Sequence, residues 1–225
     1  MLKSIFNEIK DKVMSSPEDI FKDKQAVALG KAVRKGDIEK IKSLVAEGAN
    51  PNFFADDGAT SLVKWAILYG QRESFTTLLD VGADPTVCNI GGKPMLHVIA
   101  QANDIFYLQT LLERGVDPNS KNCKSGGNAL PYAATEEHFL LLLDAGLDMD
   151  AQDNYGKTSL HRAPPGEVEI LLKRGADPTI RDNRGKTFQR RFFSASERLL
   201  TQEGKERRKW LRAWLQERNI PLEEN

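Results

Sequence analysis

The chain has 225 residues, 40% of them apolar, with 32 basic and 32 acidic side chains. This is the composition expected of a soluble, folded protein. There is no apolar run of the length a membrane-spanning helix needs, and two cysteines are too few for a disulfide scaffold.

At the start, Leu2, Ile5, Phe6, Ile9 and Val13 form an apolar stripe at helical spacing. It reads best as an N-terminal cap. A short amphipathic helix for a membrane or partner is the alternative, weakened by its mixed charges. No signal-type apolar core follows Met1–Phe6, so the chain as written is expected in the cytoplasm, or in the periplasm if a leader has been removed. Ser16-Pro17-Glu18-Asp19 has the form of a helix start, with Ser16 as cap and Pro17 in the first turn.

A repeated phrase then dominates the chain. It reads Gly48-Ala49-Asn50-Pro51, Gly82-Ala83-Asp84-Pro85, Gly115-Val116-Asp117-Pro118, Gly146-Leu147-Asp148-Met149 and Gly175-Ala176-Asp177-Pro178. Its glycines are 34, 33, 31 and 29 residues apart, the period of a stack of small units. Ten residues beyond most of them stands a second glycine: Gly58, Gly92, Gly156 and Gly185. In the fourth unit that spacing stretches to Gly126 and Gly127. Between the paired glycines lie turn-formers such as Ala55-Asp56-Asp57 and Asp153-Asn154-Tyr155, which predict tight turns or hairpins. A helix start follows at Thr60-Ser61-Leu62, Met95-Leu96-His97 and Thr158-Ser159-Leu160-His161. Next come apolar stripes at helical spacing, among them Ile38, Ile41, Leu44 and Val45; Phe75, Leu78 and Leu79; and Leu108, Leu111 and Leu112. Each would bury one helix face.

Hairpin, helix, turn, helix in about 33 residues resembles the ankyrin repeat. Leu-His after the turn and Leu-Leu-x-x-Gly-Ala-Asp-Pro before the next one carry the resemblance over roughly residues 24–195. It implies an all-α fold with short β-hairpin turns: a solenoid of about five to six units with helical caps at both ends. The predicted organisation is a capping region at 1–23, repeats at 24–195, and a capping helix and tail at 196–225.

Two departures from the pattern matter. Gly127 to Gly146 and Gly156 to Gly175 each span 19 residues, whereas Gly92 to Gly115 spans 23. The missing four are about one helical turn. Pro164-Pro165-Gly166 marks the cut in the fifth unit, because proline cannot continue a helix. The fourth and fifth units should therefore have short first helices, and a changed curvature or a notch on the groove side. The second departure is charge. From Arg181 to Arg218 the chain carries 12 basic and 5 acidic residues. An acidic partner or nucleic acid could use this stretch. A capping helix from about Gln202 to Arg218, burying Trp210, Leu211, Trp214 and Leu215, is the preferred reading.

No catalytic constellation is present: no Gly-x-Ser-x-Gly elbow, phosphate loop or His-Glu-x-x-His. No cofactor or metal is expected, and Cys88, His97 and Cys123 lack zinc-ligand spacing. Cys88 and Cys123 read as free thiols, although they could lie near one another on neighbouring units. The resemblance implies that His97 and His161 tie their helices to a neighbouring hairpin backbone. The chain is expected not to be an enzyme.

Recognition remains. The resemblance implies binding through hairpin tips and the inner face of the first helices. Candidates there are Phe53, Phe54, Asp56, Asp57, Trp65, Tyr69, Asn89, Ile90, Lys121, Lys124, Tyr155, Arg181 and Arg184. One of Phe53 and Phe54 is expected to be exposed. Trp65 and Tyr69 share one helix face, with core packing the alternative for Trp65. Asp19–Asp23, the short late repeats and Trp-Leu-x-x-Trp-Leu-x-x-Arg at Trp210–Arg218 resemble small stand-alone bacterial ankyrin proteins. Some of these neutralise secreted antibacterial enzymes, including type VI lipases. The resemblance implies a free monomer that binds one protein partner, a toxin or effector enzyme, with no nucleic acid and no membrane contact. A scaffold or regulator of a cellular enzyme, or a host-directed effector, are the other readings.

Overall fold

The computed structural model describes residues 16–223. The apolar stripe from Leu2 to Val13 lies outside the described residues. At their start, α1 (Pro17–Ile20) is a single turn. The Asp19 carboxylate accepts the Ser16 N–H at 2.8 Å, closing the turn predicted there.

Helix pairs then stack in chain order. The first unit pairs α2 (Lys24–Lys35) with α3 (Ile38–Ala46), and the second pairs α4 (Leu62–Leu68) with α5 (Arg72–Asp80). The third pairs α6 (Met95–Ile99) with α7 (Ile105–Glu113). The fourth has only a 3-10 turn (Leu130–Tyr132) before α8 (Glu136–Asp144), and the fifth pairs α9 (Ser159–Arg162) with α10 (Pro165–Lys173). Starts are set by side-chain caps: Asp23 accepts from Ala26, Asp37 from Lys40, Ser61 from Lys64 and Asp104 from Phe106. The first helices shrink along the stack. Shortening already begins in the second unit, where α4 has 7 residues against 12 in α2, and in the third α6 stops at Ile99 with an irregular loop filling the remaining residues. Glycine spacing alone placed it only in the fourth and fifth.

The core is one continuous seam between units. Leu29, Ile41, Leu62, Phe75, Leu78, Leu96, Leu108, Leu111, Leu142 and Leu171 are all fully buried. No unit could bury this face alone, so stability is shared between neighbours. The units are also pinned edge to edge. Asn52 Nδ2 donates to Gly82 O (3.1 Å) while Asn52 Oδ1 accepts from Asp84 N (2.7 Å). Asn119 repeats this with Gly146 and Asp148 at 3.2 and 2.7 Å. Ion pairs Arg72–Asp104 and Arg114–Asp80 bridge successive second helices.

The connecting fingers are turns rather than hairpins of strands. Among the described residues the sole β pairing is an isolated bridge between Phe54 and Ser61. The reason lies in the side chains. Asp153 Oδ1 accepts the N–H groups of Tyr155 and Lys157, and Asp182 Oδ1 those of Arg184 and Lys186. An Asp or Asn thus takes the donors that a strand ladder would need. Finger-to-finger hydrogen bonds then run along the stack, from Ile90 N to Gly58 O at 2.8 Å and from Cys123 N to Gly92 O at 2.7 Å.

After a short α11 (Gln189–Phe192) and a 3-10 turn (Glu197–Leu199), α12 (Gln202–Glu217) closes the stack. Leu211 and Leu215 are fully buried, with Trp210 and Trp214 packed at the edge of the core. Arg208 is buried as well and donates to the carbonyls of Phe192 and Ala195. These aromatics therefore serve packing, as a capping helix requires.

Candidate binding surface

The fingers project as a row, and the structure divides the sequence-predicted residues into two groups. The first is structural. Trp65 is 1% exposed and its Nε1 donates to Gly30 O at 3.1 Å, so it belongs to the core and not to a groove surface. Tyr69 lies on Trp65 (ring centroids 4.9 Å apart), with the Arg34 guanidinium over its own ring at 4.7 Å. Neither Phe53 nor Phe54 is exposed; both are half-buried. Phe53 packs edge-on against the buried Phe21 at 6.1 Å, because α1 brings Phe21 under the first finger. Asp57 and Asn89 spend their side chains on their own turns: Asp57 takes the N–H groups of Ala59 and Thr60, and Asn89 those of Gly91 and Lys93. Asp56 is paired with Lys22, and Arg181 with Glu223 at 2.6 Å.

The second group is presented outward. On the fingers, Ile90 is 64% exposed and Tyr155 60%; Leu199, between α11 and α12, is more exposed still at 82%. Lys121, Lys124 and Arg184 are exposed beside Ile90 and Tyr155 on successive fingers. The strip is thus apolar at intervals and basic between.

Cys88 and Cys123 are not free thiols. They form a disulfide with Cα atoms 6.5 Å apart. They stand on either side of the turn asparagine in successive fingers, Cys88 just before Asn89 and Cys123 just after Asn122, and the Cys123 N to Gly92 O bond holds those fingers in register. The bond therefore clamps the part of the strip that carries Ile90.

The histidines act as the resemblance implied. His97 Nε2 lies 3.0 Å from Gly127 O and His161 Nε2 lies 3.0 Å from Lys186 O, each tying a first helix to the next finger. Burial, partly opposed by the Gly127 hydrogen bond, holds His97 below the usual imidazole range. Its ring is neutral near pH 7. Among the described residues no cluster of His, Cys, Asp or Glu is placed to hold a metal ion, and no helix is long and apolar enough to cross a membrane.

One feature was legible only as a deficit of residues. Where the fourth unit has a 3-10 turn in place of a helix, a cleft of about 550 Å³ opens between the fourth and fifth fingers. Tyr132, Tyr155, Lys157, Arg162 and Arg191 line it. Of these, only Tyr155 stood out from the sequence. The 19-residue glycine spacing marked the place but not the side chains that turn into it.

A stack of helix pairs with outward fingers and an exposed apolar and basic strip defines a repeat-built recognition module. The comparisons agree. A family model for ankyrin repeats (three copies) matches residues 95–182. Protein PhlB of Serratia liquefaciens is 34% identical over 157 residues, covering 68% of either chain. The chain belongs to the ankyrin-repeat family. Its fold is similar to the ankyrin-repeat domain of Bcl-3 (TM-score 0.62, 27% identity, 72% of this chain and 75% of that one). It also resembles a chain of a Bdellovibrio bacteriovorus complex, the predatory endopeptidase Bd0816 with its immunity protein Bd3460 (TM-score 0.56, 21% identity, 72% and 88%).

Proposed function

We propose that this protein is an inhibitor that binds one secreted antibacterial enzyme, such as a type VI phospholipase, and keeps it from harming the cell that makes it. The observation that carries this reading is the finger strip: Ile90 and Tyr155 stand out as apolar anchors amid Lys121, Lys124 and Arg184, on a scaffold made rigid by packing and by a disulfide. Rigid aromatic and aliphatic anchors lose little entropy on docking, which favours tight binding to one partner. The similarity in fold to a chain of the Bd0816–Bd3460 immunity complex supports the same use. So does the protein-binding role general to ankyrin repeats.

The mechanism is steric: the strip covers the mouth of the enzyme's active site, and no chemistry by this chain is needed. The Cys88–Cys123 disulfide supports work in an oxidising compartment such as the periplasm, where such bonds persist. The test is affinity capture of tagged full-length protein from its native cells. A stoichiometric secreted hydrolase whose activity falls on adding the purified protein supports the proposal. A spread of substoichiometric cellular proteins would transfer it to a scaffold or regulator.

A further inference from the structure

The cleft of the fourth unit has a composition of its own. Three of its lining residues, Lys157, Arg162 and Arg191, are cations and no carboxylate lines it, while Asp182, Asp153 and Glu167 lie close enough behind the lining to interact with one cation each. Two of the cations are held in place. Arg162 Nε and Nη2 grip Asp153, whose side chain is 1% exposed, so the guanidinium is anchored from behind by a buried charge. Arg191 Nη1 donates to the carbonyls of His161 and Ala163 at 3.3 and 2.9 Å. Each guanidinium keeps further N–H groups without a partner among the described residues. The Lys157 amine has neither hydrogen bond nor ion pair among them. Pro131 and the rings of Tyr132 and Tyr155 supply the apolar part of the lining.

Fixed guanidiniums with spare donors in a concave site suit a planar anion better than a mobile lysine cluster does, because their ordering is already done. The volume is in the range of ligand-binding clefts and matches a few side chains of a loop. We propose that this cleft seats an aspartate- or glutamate-bearing loop of the protein partner, with the carboxylate between Lys157, Arg162 and Arg191 and its neighbours against Tyr132. This rests on the inhibitor reading for the partner's identity, but not for the chemistry. A nucleic acid fits less well. Exposed Asp84, Asp117, Asp148 and Asp177 recur once per unit and would repel a phosphate backbone laid along the stack.

The test uses full-length protein and short labelled peptides of alternating glutamate and glycine, with glutamine–glycine peptides, inorganic phosphate and a single-stranded oligonucleotide for comparison. The glutamate peptide should bind and the glutamine peptide should not. Lys157→Glu with Arg191→Glu should weaken binding by about tenfold or more, the scale expected for reversing charges at a contact. Lys205→Glu with Lys209→Glu, a reversal on α12 outside the cleft, should leave it unchanged. Circular dichroism checks that both variants fold. Equal binding of the glutamate and glutamine peptides, equal loss from the α12 reversal, or tighter binding of phosphate or the oligonucleotide overturns the proposal. Captured hydrolase that holds equally well to Lys157→Glu/Arg191→Glu would also overturn it while leaving the inhibitor reading intact. Absence of any hydrolase would strike that reading alone.

Discussion

Trp65 Nε1 donates to the carbonyl oxygen of Gly30, 3.1 Å away and 35 residues earlier, across the boundary between the first two units. The indole also meets Phe21 edge-on at 5.7 Å, so one side chain joins α1, α2 and α4. Trp65→Ala should therefore cost about 3–5 kcal/mol, as a large aromatic cavity does. Trp65→Phe should cost less, mainly by losing the indole hydrogen bond to the Gly30 carbonyl, which lies within α2 and keeps its helical partner. Urea titration of both variants checks this. If Trp65→Ala left stability intact and reduced partner binding, the residue would belong to the binding surface after all.

The disulfide makes a separate prediction. It closes a segment of 35 residues, for which the chain-entropy estimate is roughly 3–4 kcal/mol. Cys88→Ser with Cys123→Ser should lower the urea midpoint without abolishing the helical circular-dichroism signal, because the seam between units does not depend on it. A thiol titration of the native protein should find no free thiol until it is reduced.

Two left-handed glycines of the fifth unit, Gly156 in its finger and Gly175 at the end of α10, should behave differently. Gly175 has φ of +96° with open space around a built Cβ, whereas Gly156 has φ of +74° and a Cβ there would lie 2.7 Å from the backbone N of Asn183. Gly175→Ala meets only the left-handed backbone cost, about 1 kcal/mol. Gly156→Ala must also push the fifth and sixth fingers apart, breaking the Asn183 N to Tyr155 O bond of 3.0 Å. Its thermal midpoint should fall further than that of Gly175→Ala.

Stability should respond to pH through two opposed sets of groups. Burial holds His97 and His138 below the ordinary value of 6.5. Their contribution is present above that value and lost as pH falls through the lower folded values, since the unfolded chain then binds more protons. Glu167 runs the other way. Burial raises it to about 7, against the pull of Arg191. Its favourable contribution exists below the unfolded value of 4.5 and is lost as pH rises through about 7. Glu167→Gln should therefore raise the urea midpoint more at about pH 8 than at about pH 5. His97→Gln with His138→Gln should flatten the loss on acidification. A Glu167→Gln gain that is the same at both pH values would show that its carboxyl is not raised.

Much of the architecture was written in the sequence, because each unit is local. A glycine that ends a helix, an Asp or Asn that closes a finger and a leucine pair that faces the seam act over a few residues, and their recurrence exposed the period. The His97 and His161 ties were implied by the family resemblance and are met by their bonds to Gly127 O and Lys186 O. The binding residues were harder, because exposure is a property of neighbours. Phe53 and Trp65 looked available until α1 placed Phe21 between them. Asp57 and Asn89 looked like tips until their oxygens proved to be holding the turns.

Sequence by itself determined the repeat, the order of helices, the finger turns and the place where residues are missing, since all of these are read within one unit. Only the tertiary structure decided that Cys88 meets Cys123, that Phe53 and Trp65 are packed away, and that Lys157, Arg162 and Arg191 converge on one cleft. Those relationships cross from one unit to another, as from Cys88 to Cys123 and from Lys157 and Arg162 to Arg191, and the stacking of one unit on the next sets their distances.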